Sequence, residues 1–202
     1  SGKTTLVTAI FKDRPYVSLE KPSTLEFALT DPEGFLGQYP NGAIIDEAQR
    51  APKLFSYIQV IVDQADRPGM YVLTGSQNFE LLEKIGQTLA GRISLQRLLP
   101  FSLKELQAAK INTSNLWDLI LKGGYPRIYD KHLNPSDWLS NYIASYIERD
   151  VRSIKNIGDL STFQRFLRMC AYRSGKVLNM SSLANDCGIT HNTAKAWLSV
   201  LE

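Results

Sequence analysis

Four residues near the start of the chain have the types and order of a phosphate-binding loop. They are Gly2, Lys3, Thr4 and Thr5. In a complete G-x-x-x-x-G-K-S/T loop, backbone N–H groups cradle the phosphates, the lysine reaches the β- and γ-phosphates, and the hydroxyl binds Mg²⁺. The sequence starts inside this pattern, without its first glycine and the preceding strand, and continues into an apolar run at positions 6–10 that suits a helix. All four are therefore candidate nucleotide-binding residues, and Thr4 is a candidate Mg²⁺ ligand.

Two adjacent carboxylates end a second apolar segment. Gly42-Ala43-Ile44-Ile45-Asp46-Glu47 has the form of a Walker B segment, a buried strand followed by acidic residues. The first carboxylate can bind the water shell of the Mg²⁺ held by Thr4, and the second can orient or deprotonate an attacking water. Asp46 would take the first role and Glu47 the second, although the segment alone also fits a solvated turn before Pro52. Because a kinase-type site needs no second acid, the pair favours hydrolysis over transfer.

Two further segments supply polar groups suited to the γ-phosphate. The strand candidate Tyr71-Val72-Leu73 ends in Thr74-Gly75-Ser76-Gln77, which places Ser76 at the carboxyl edge of a sheet as a sensor residue. A turn without a ligand is the other interpretation, because Thr, Gly and Ser are common in turns. Arg92 follows Leu89-Ala90-Gly91, where it would serve as a catalytic arginine finger that stabilises charge on the transferred phosphoryl group. A surface arginine is its alternative.

The elements that must position these side chains alternate between short apolar runs and helical patterns up to about residue 100. The strand candidates are Tyr16 to Leu19, Ala43 to Ile45, Met70 to Leu73 and Ile93 to Leu98. Helices are predicted between them where apolar residues repeat at helical spacing, namely at Leu54, Ile58, Ile61 and Val62, and at Leu81, Leu82, Ile85 and Leu89. This alternation is typical of an α/β fold, so residues 1–100 are predicted to form a parallel P-loop sheet with helices on both faces, lacking its first strand.

Helical patterns replace the strands after Pro100. Ser102 and Glu105 form an S-x-x-E capping box that predicts a helix through Ala109. Further helical patterns cover residues 116–121, 138–146 and 162–172. Residues 101–154 are therefore predicted to form a helical lid, and residues 155–202 a helix-turn-helix or winged-helix-like segment.

The last twenty or so residues have the pattern of a helix-turn-helix. A short helix containing Ala184, a turn at Gly188 and an N-cap at Thr190 precede a helix through Trp197. The exposed face of that helix would carry His191, Asn192, Thr193 and Lys195. These four residues are candidate DNA contacts. In the alternative interpretation the segment packs against the lid and transmits its movement without touching nucleic acid.

Composition and charge limit the class of protein. With 202 residues, 44% hydrophobic and 21% charged, the chain is typical of globular domains. It contains no apolar run of membrane-spanning length and no signal-peptide pattern, so a cytoplasmic protein without a membrane partner is expected. Cys170 and Cys187 are expected to be buried thiols. Residues 155–202 carry six basic and three acidic side chains and so account for the net charge of +3. An anionic partner other than nucleotide should bind there.

The order of the motifs resembles a known family. SGKTT, AIIDEAQR, VLTGSQ, LAGRI, LLPFSLKEL and GGYPRI are similar to segments of prokaryotic AAA-type ATPases that carry a winged helix and a C-terminal nuclease-like domain of unknown function. The resemblance implies ATP as the nucleotide and a sensor strand between the Walker A and Walker B strands. It also implies a homo-oligomer in which Arg92 acts on the ATP of a neighbouring subunit. Against this family the chain looks like a fragment, and the isolated piece is expected to bind ATP poorly.

The sequence thus predicts an ATP-hydrolysing module, dependent on Mg²⁺, that couples its nucleotide state to the helix-turn-helix segment and through it to DNA or a partner protein. The main alternative is a nucleotide-regulated DNA-binding switch that hydrolyses ATP slowly or not at all. A third hypothesis, a helix-turn-helix protein with a degenerate P-loop, predicts no nucleotide binding by the intact protein.

Overall fold

The structure is a computed structural model that describes residues 2–65, 67–75, 88–147 and 160–201. The chain divides into two compact units. The first consists of Ser1–Ser114 with Gly123–Arg127, and the second of Asn115–Lys122 with Ile128–Glu202. The sequence analysis predicted three segments with boundaries at residues 100 and 154. This stays a prediction, since the division into two compact units does not test it.

The first unit contains a sheet of three short parallel strands. They are β1 (Tyr16–Ser18), β2 (Ile44–Asp46) and β3 (Val72–Leu73), in the order β1-β2-β3. Ser18 lies opposite Asp46 on one side of β2, and Leu73 lies opposite Ile45 on the other. The parallel sheet predicted from the sequence is therefore confirmed for these three strands. Because parallel strands end at the same edge, the residues that follow β2 and β3 lie side by side.

Helices lie before, between and after the strands of the first unit, and a hydrophobic core joins the sheet to the second, third and fourth of them. Their bounds are α1 (Lys3–Ile10), α2 (Pro22–Thr30), α3 (Pro32–Gly37), α4 (Leu54–Ala65) and α5 (Leu103–Ala108), with a 3₁₀ turn at Ala48–Arg50. The core includes Val17 and Ile45 from the strands together with Phe35, Leu36, Leu54, Phe55 and Ile58 from the helices. The helix predicted after Pro52 is confirmed as α4, and it buries Leu54, Phe55 and Ile58 because their spacing places them on one face.

The predicted capping box at the start of α5 is also confirmed. The Glu105 N–H donates to Ser102 Oγ at 3.2 Å, and the Ser102 N–H donates to Glu105 Oε2 at 2.7 Å. These reciprocal bonds pair two donors that the first turn of a helix otherwise leaves without partners. Leu106, on the same helix, is buried.

The strand predicted at residues 93–98 is wrong. The structure gives this segment no strand, and Leu95 is 59% exposed. Apolar composition favours an extended segment, but a strand also requires a neighbouring strand to pair with its N–H and C=O groups. No strand within the described ranges pairs with it, although Ile93 packs against the core. The helix predicted around Leu81 to Ile85 lies outside the described residues.

The second unit is helical over its described residues. Its helices are α6 (Leu116–Lys122), α8 (Pro135–Tyr142), α9 (Leu160–Tyr172), α10 (Met180–Cys187) and α11 (His191–Leu201), and a π-helical turn at Ile143–Ile147 follows α8. The short helix α7 (Pro126–Asp130) begins in the first unit and ends in the second. Where the structure describes it, the chain has no helix with both the length and the apolar character needed to cross a bilayer.

Helices α9, α10 and α11 share a second core. Its buried members are Phe163, Phe166, Leu183, Ala184, Cys187, Ala194 and Trp197. The Trp197 ring meets Phe163 and Phe166 edge-on, with centroid distances of 5.2 and 5.4 Å. Gly188, at a φ of 68°, makes the left-handed turn between α10 and α11 that a residue with a Cβ adopts only at a cost. Burial of the Cys187 thiol is confirmed, whereas Cys170 is only partly buried, and burial raises the pKa of both thiols.

Candidate nucleotide site

Asp46, the last residue of β2, is the centre of the site. Its side chain is buried, and its carboxylate accepts hydrogen bonds from four residues of the first unit. Thr4 Oγ1 donates to Oδ2 at 3.0 Å and the Tyr16 hydroxyl donates to the same oxygen at 2.7 Å. Oδ1 accepts from the Thr74 hydroxyl and, at 3.2 Å, from the Glu47 N–H. These four donors hold both carboxylate oxygens in place.

The same contacts keep the Asp46 carboxyl ionised. Burial by itself would raise its pKa. The hydrogen bonds from Thr74, Tyr16, Thr4 and the Glu47 backbone act in the opposite direction and together bring the pKa below its ordinary value of 3.8. Because a metal ligand of this type must be deprotonated, Asp46 is in the form that Mg²⁺ requires at neutral pH.

The N-terminus of α1 brings Lys3 and Thr4 to the carboxyl edge of the sheet. Gly2 precedes the helix with a φ of 82°, a left-handed conformation that glycine adopts without strain. Lys3 Nζ donates to the carbonyl oxygen of Gly75, after β3, while the Thr4 hydroxyl donates to Asp46, at the end of β2. Thr5 is exposed. The N-terminus of an eight-residue helix and one lysine therefore lie at this edge of the sheet, and both favour the binding of a phosphate there.

Glu47 leaves the end of β2 in a left-handed conformation. Its φ and ψ are 56° and 40°, which cost a non-glycine residue roughly 1–2 kcal/mol. Neighbouring contacts hold this turn, since the Ala48 N–H donates to the Thr74 carbonyl at 3.0 Å and Gln49 Nε2 donates to Glu47 Oε2. A strained backbone fixed by its surroundings is characteristic of functional sites. The turn keeps the Glu47 carboxylate at the same edge of the sheet as Asp46.

The segment after β3 joins the site through residues that the sequence analysis did not select. Ser76, predicted as the sensor residue, lies outside the described residues. Thr74 and Gly75 are described, and they contact Asp46 and Lys3 respectively. The sequence did carry a signal for Thr74, because it is the first polar residue after an apolar strand.

Tyr16 is a further site residue that the sequence analysis missed. It was predicted only as the first residue of a strand, yet its hydroxyl donates to Asp46. Finding it required the register of β1 against β2, in which Tyr16 lies opposite Ile44 and two positions from Asp46. Burial, and then the hydrogen bond to Asp46, raise the pKa of the Tyr16 phenol, so the donor keeps its proton at neutral pH.

Arg92, the predicted arginine finger, pairs with Asp63, which is not one of the candidate site residues. Its Nε donates to Asp63 Oδ1 at 2.5 Å, and Nη1 donates to the Ala90 carbonyl at 3.1 Å. The two charged side chains are 39% and 43% exposed, and their hydrogen bond lowers the pKa of Asp63. Within the described ranges, no hydrogen bond or ion pair joins Arg92 to Asp46 or Lys3. The structure therefore does not bring it to the candidate nucleotide site of its own chain.

The oxygen atoms at the site fit Mg²⁺. A hydroxyl and a carboxylate, Thr4 Oγ1 and Asp46 Oδ2, lie 3.0 Å apart, and both are hard donors of the kind that Mg²⁺ prefers. Mg²⁺ in nucleotide sites takes one or two protein oxygens, phosphate oxygens and several waters. The absence of a cluster of three or more His, Cys, Asp or Glu side chains among the described residues is compatible with such a site.

The candidate DNA contacts lie on α11 of the second unit. His191, Asn192 and Lys195 are exposed, whereas Thr193 is partly buried. The Thr193 N–H donates to Thr190 Oγ1 at 3.1 Å, and the two hydroxyls lie 2.8 Å apart. Thr190 thus caps the helix with the Thr193 hydroxyl beside it, and the other three side chains face solvent.

Comparison with known proteins identified two regions of the chain. A family model described as AAA domain matches residues 1–107, which include the whole of the site described above. A second family model, described as a domain of unknown function (DUF8612), matches residues 113–202.

The curated relatives are longer than the chain. Uncharacterized proteins of Mycobacterium bovis and Mycobacterium tuberculosis are each 28% identical to it over 204 residues, an alignment that covers 100% of the chain and 45% of each relative. The chain therefore spans less than half the length of these relatives. No solved structure matches it.

Proposed function

Because the match over residues 1–107, just over half of its 202 residues, shows that the chain belongs to the AAA domain family, we propose that it binds ATP with Mg²⁺ and hydrolyses it. The observation that carries the proposal is the 3.0 Å hydrogen bond between the Thr4 hydroxyl and the Asp46 carboxylate. It joins the threonine of the P-loop pattern to the aspartate of the Walker B pattern, which are 42 positions apart in the sequence. The winged helix and nuclease-like domain implied by the resemblance stay predictions.

The residues of the site have separate roles in this proposal. The backbone at Gly2 and the N-terminal turn of α1, including Thr5, bind phosphate oxygens. Lys3 exchanges the Gly75 carbonyl for the β- and γ-phosphates, to which its charge is better matched. Thr4 and Asp46 hold Mg²⁺, which when bound neutralises charge on the phosphates. Ser76 is proposed to contact the γ-phosphate as a sensor.

Glu47 is proposed to activate the attacking water. The water oxygen bonds to the γ-phosphorus, the bond from that phosphorus to the β–γ bridging oxygen breaks, and ADP and inorganic phosphate leave. Glu47 orients the water and accepts the proton that it loses. Its position directly after Asp46, fixed by the left-handed turn, supports this role.

Replacing Lys3 by alanine tests nucleotide binding. Hydrogen bonds to charged groups contribute about 1.5–3 kcal/mol each, so the variant is expected to bind ATP roughly 10- to 150-fold more weakly. A fluorescence titration of the full-length protein with a labelled ATP analogue measures this loss. Lys12→Ala is a matched control, since Lys12 is an exposed lysine beyond the end of α1. Equal affinity of the Lys3 variant and the wild-type protein would reject the P-loop assignment.

A second candidate function is DNA binding by the C-terminal segment, with the nucleotide state controlling it. The supporting observation is that α10, the Gly188 turn and α11 follow one another with His191, Asn192 and Lys195 exposed on the second helix. If turnover is slow, the same residues support the alternative of a nucleotide-regulated switch. Measured turnover of the full-length protein separates the two.

Salt dependence tests DNA binding. Affinity for a short DNA duplex is expected to fall as salt rises, because basic side chains release counterions from the phosphates. Each phosphate contact contributes about 0.9 to the slope of log affinity against log salt, so Lys195→Ala should lower that slope by about 0.9. Lys104→Ala, on α5 of the first unit, is the matched control. Deleting residues 181–202 should remove DNA binding and retain ATP binding. Salt-independent affinity would contradict the proposal and favour a purely protein-contacting role.

A further inference from the structure

The phenol of Tyr16 reaches diagonally from β1 to the carboxylate at the end of β2. Its hydroxyl lies 2.7 Å from Asp46 Oδ2, the oxygen that also accepts from Thr4. In the register of the sheet Ser18 is directly opposite Asp46, so the contact spans two positions along the strands. Diagonal neighbours on adjacent strands are within reach of aromatic side chains, whereas a short polar residue at position 16 would not reach.

Packing alone does not account for a tyrosine at this position. The side chain is 43% exposed and does not belong to the buried core of the first unit. A phenylalanine would occupy the same space and make the same ring contacts. The hydroxyl is the part of the residue that contacts the site, where it donates a hydrogen bond to Asp46.

The two oxygens of Asp46 are held by different groups. Oδ1 accepts from Thr74 and from the Glu47 N–H, and Oδ2 accepts from Thr4 and Tyr16. In the proposed function Thr4 would be a ligand of Mg²⁺. Thr4 and Tyr16 are the described side chains that donate to Oδ2, and of the two only Tyr16 is not itself a proposed metal ligand.

We propose that Tyr16 is a positioning residue that fixes the rotation of the Asp46 carboxylate and thereby sets the affinity of the site for Mg²⁺. The inference rests on the proposed function, because it assigns Asp46 to the metal. Tyr16 touches neither nucleotide nor water in this role. It acts only through Asp46, because a residue that is hydrogen-bonded to a metal ligand orients that ligand without contacting the metal.

The test is Tyr16→Phe in the full-length protein, measured by equilibrium binding. A labelled ATP analogue is titrated first in excess EDTA and then with increasing Mg²⁺. Affinity in EDTA should stay within about twofold of the wild-type value, since no phosphate contact is lost. The Mg²⁺ concentration at half-maximal effect should rise about tenfold or more, because losing a partner of a metal ligand typically costs 10- to 100-fold in metal affinity. Tyr57→Phe, on the half-exposed side of α4, is the control.

A double-mutant cycle separates positioning from a general structural effect. If Tyr16 acts through the carboxylate, Tyr16→Phe should cause little further change in Mg²⁺ dependence when Asp46 is already asparagine. Three results would each overturn the inference without contradicting the proposed binding of ATP by the wild-type protein. They are an unchanged Mg²⁺ midpoint in the single variant, a loss of ATP affinity in EDTA as large as the loss with Mg²⁺, and additive effects in the cycle. Failure of the wild-type protein to bind ATP would instead overturn the proposed function, and this inference with it.

Discussion

Glu47→Gln is expected to keep ATP bound and to lower turnover by about 10³-fold, within the range of 10²–10⁴ that a positioned general base contributes. Glutamine preserves the shape of the side chain but cannot accept a proton from the attacking water. It also preserves the length needed to reach Gln49, whose amide donates to Glu47 in the structure. The variant therefore separates the chemical role of the carboxylate from its structural contact.

Two measurements on the full-length protein check this expectation. Phosphate release under saturating ATP gives the turnover, and titration with a labelled ATP analogue gives the affinity. Glu33→Gln, an exposed position on α3, is the matched control and should turn over ATP at the wild-type rate. Equal turnover of the Glu47 variant and the wild-type protein would remove Glu47 from the mechanism. Loss of affinity in parallel with turnover would show that its role is structural.

Arg92→Ala is expected to leave ATP binding nearly unchanged and to lower turnover by about 10³-fold or more, the effect of losing an arginine finger. In the structure Arg92 is paired with Asp63 at the surface. Such exposed pairs contribute little to stability, so the pair does not prevent Arg92 from binding a phosphate on another subunit. If the pair with Asp63 were the only role of Arg92, Asp63→Ala would have the same effect as Arg92→Ala. If Arg92 acts as a finger on a neighbouring subunit, only the arginine variant loses turnover.

Mixing two inactive variants tests whether Arg92 acts between subunits. Arg92→Ala subunits keep Lys3 and Glu47, and Glu47→Gln subunits keep Arg92. In a mixed oligomer each supplies what the other lacks, so activity should return, and the specific activity of the wild-type protein should rise with concentration as subunits assemble. Arg67→Ala, an exposed position after α4, is the control variant. A co-assembled mixture no more active than its separate components would rule out action in trans.

Local features of the fold followed from the sequence because they depend on neighbouring residues. The Ser102–Glu105 capping box and the apolar face of α4 are formed within one or two helical turns, and both are present as predicted. The three short strands were recognised by apolar runs bounded by glycine, proline or charged residues. The candidate roles of Lys3, Thr4 and Asp46 also came from residue type and order, which are properties of the sequence.

Contacts between distant residues were decided only by the tertiary structure. The donors Thr4, Tyr16 and Thr74 lie 42, 30 and 28 positions from Asp46, and their meeting depends on the order and register of β1, β2 and β3. The pairing of Arg92 with Asp63 likewise required the position of α4.

The segment at residues 93–98 shows that a local apolar pattern does not by itself establish a strand. Its apolar pattern predicted a strand, but a strand is defined by its neighbour, and none of the described strands lies beside it. Sequence thus determined which residues could do chemistry and which local elements they form. The tertiary structure decided which hydroxyls hold the Asp46 carboxylate, because hydrogen bonds are directional and act over about 3 Å, a distance that only the packed chain establishes.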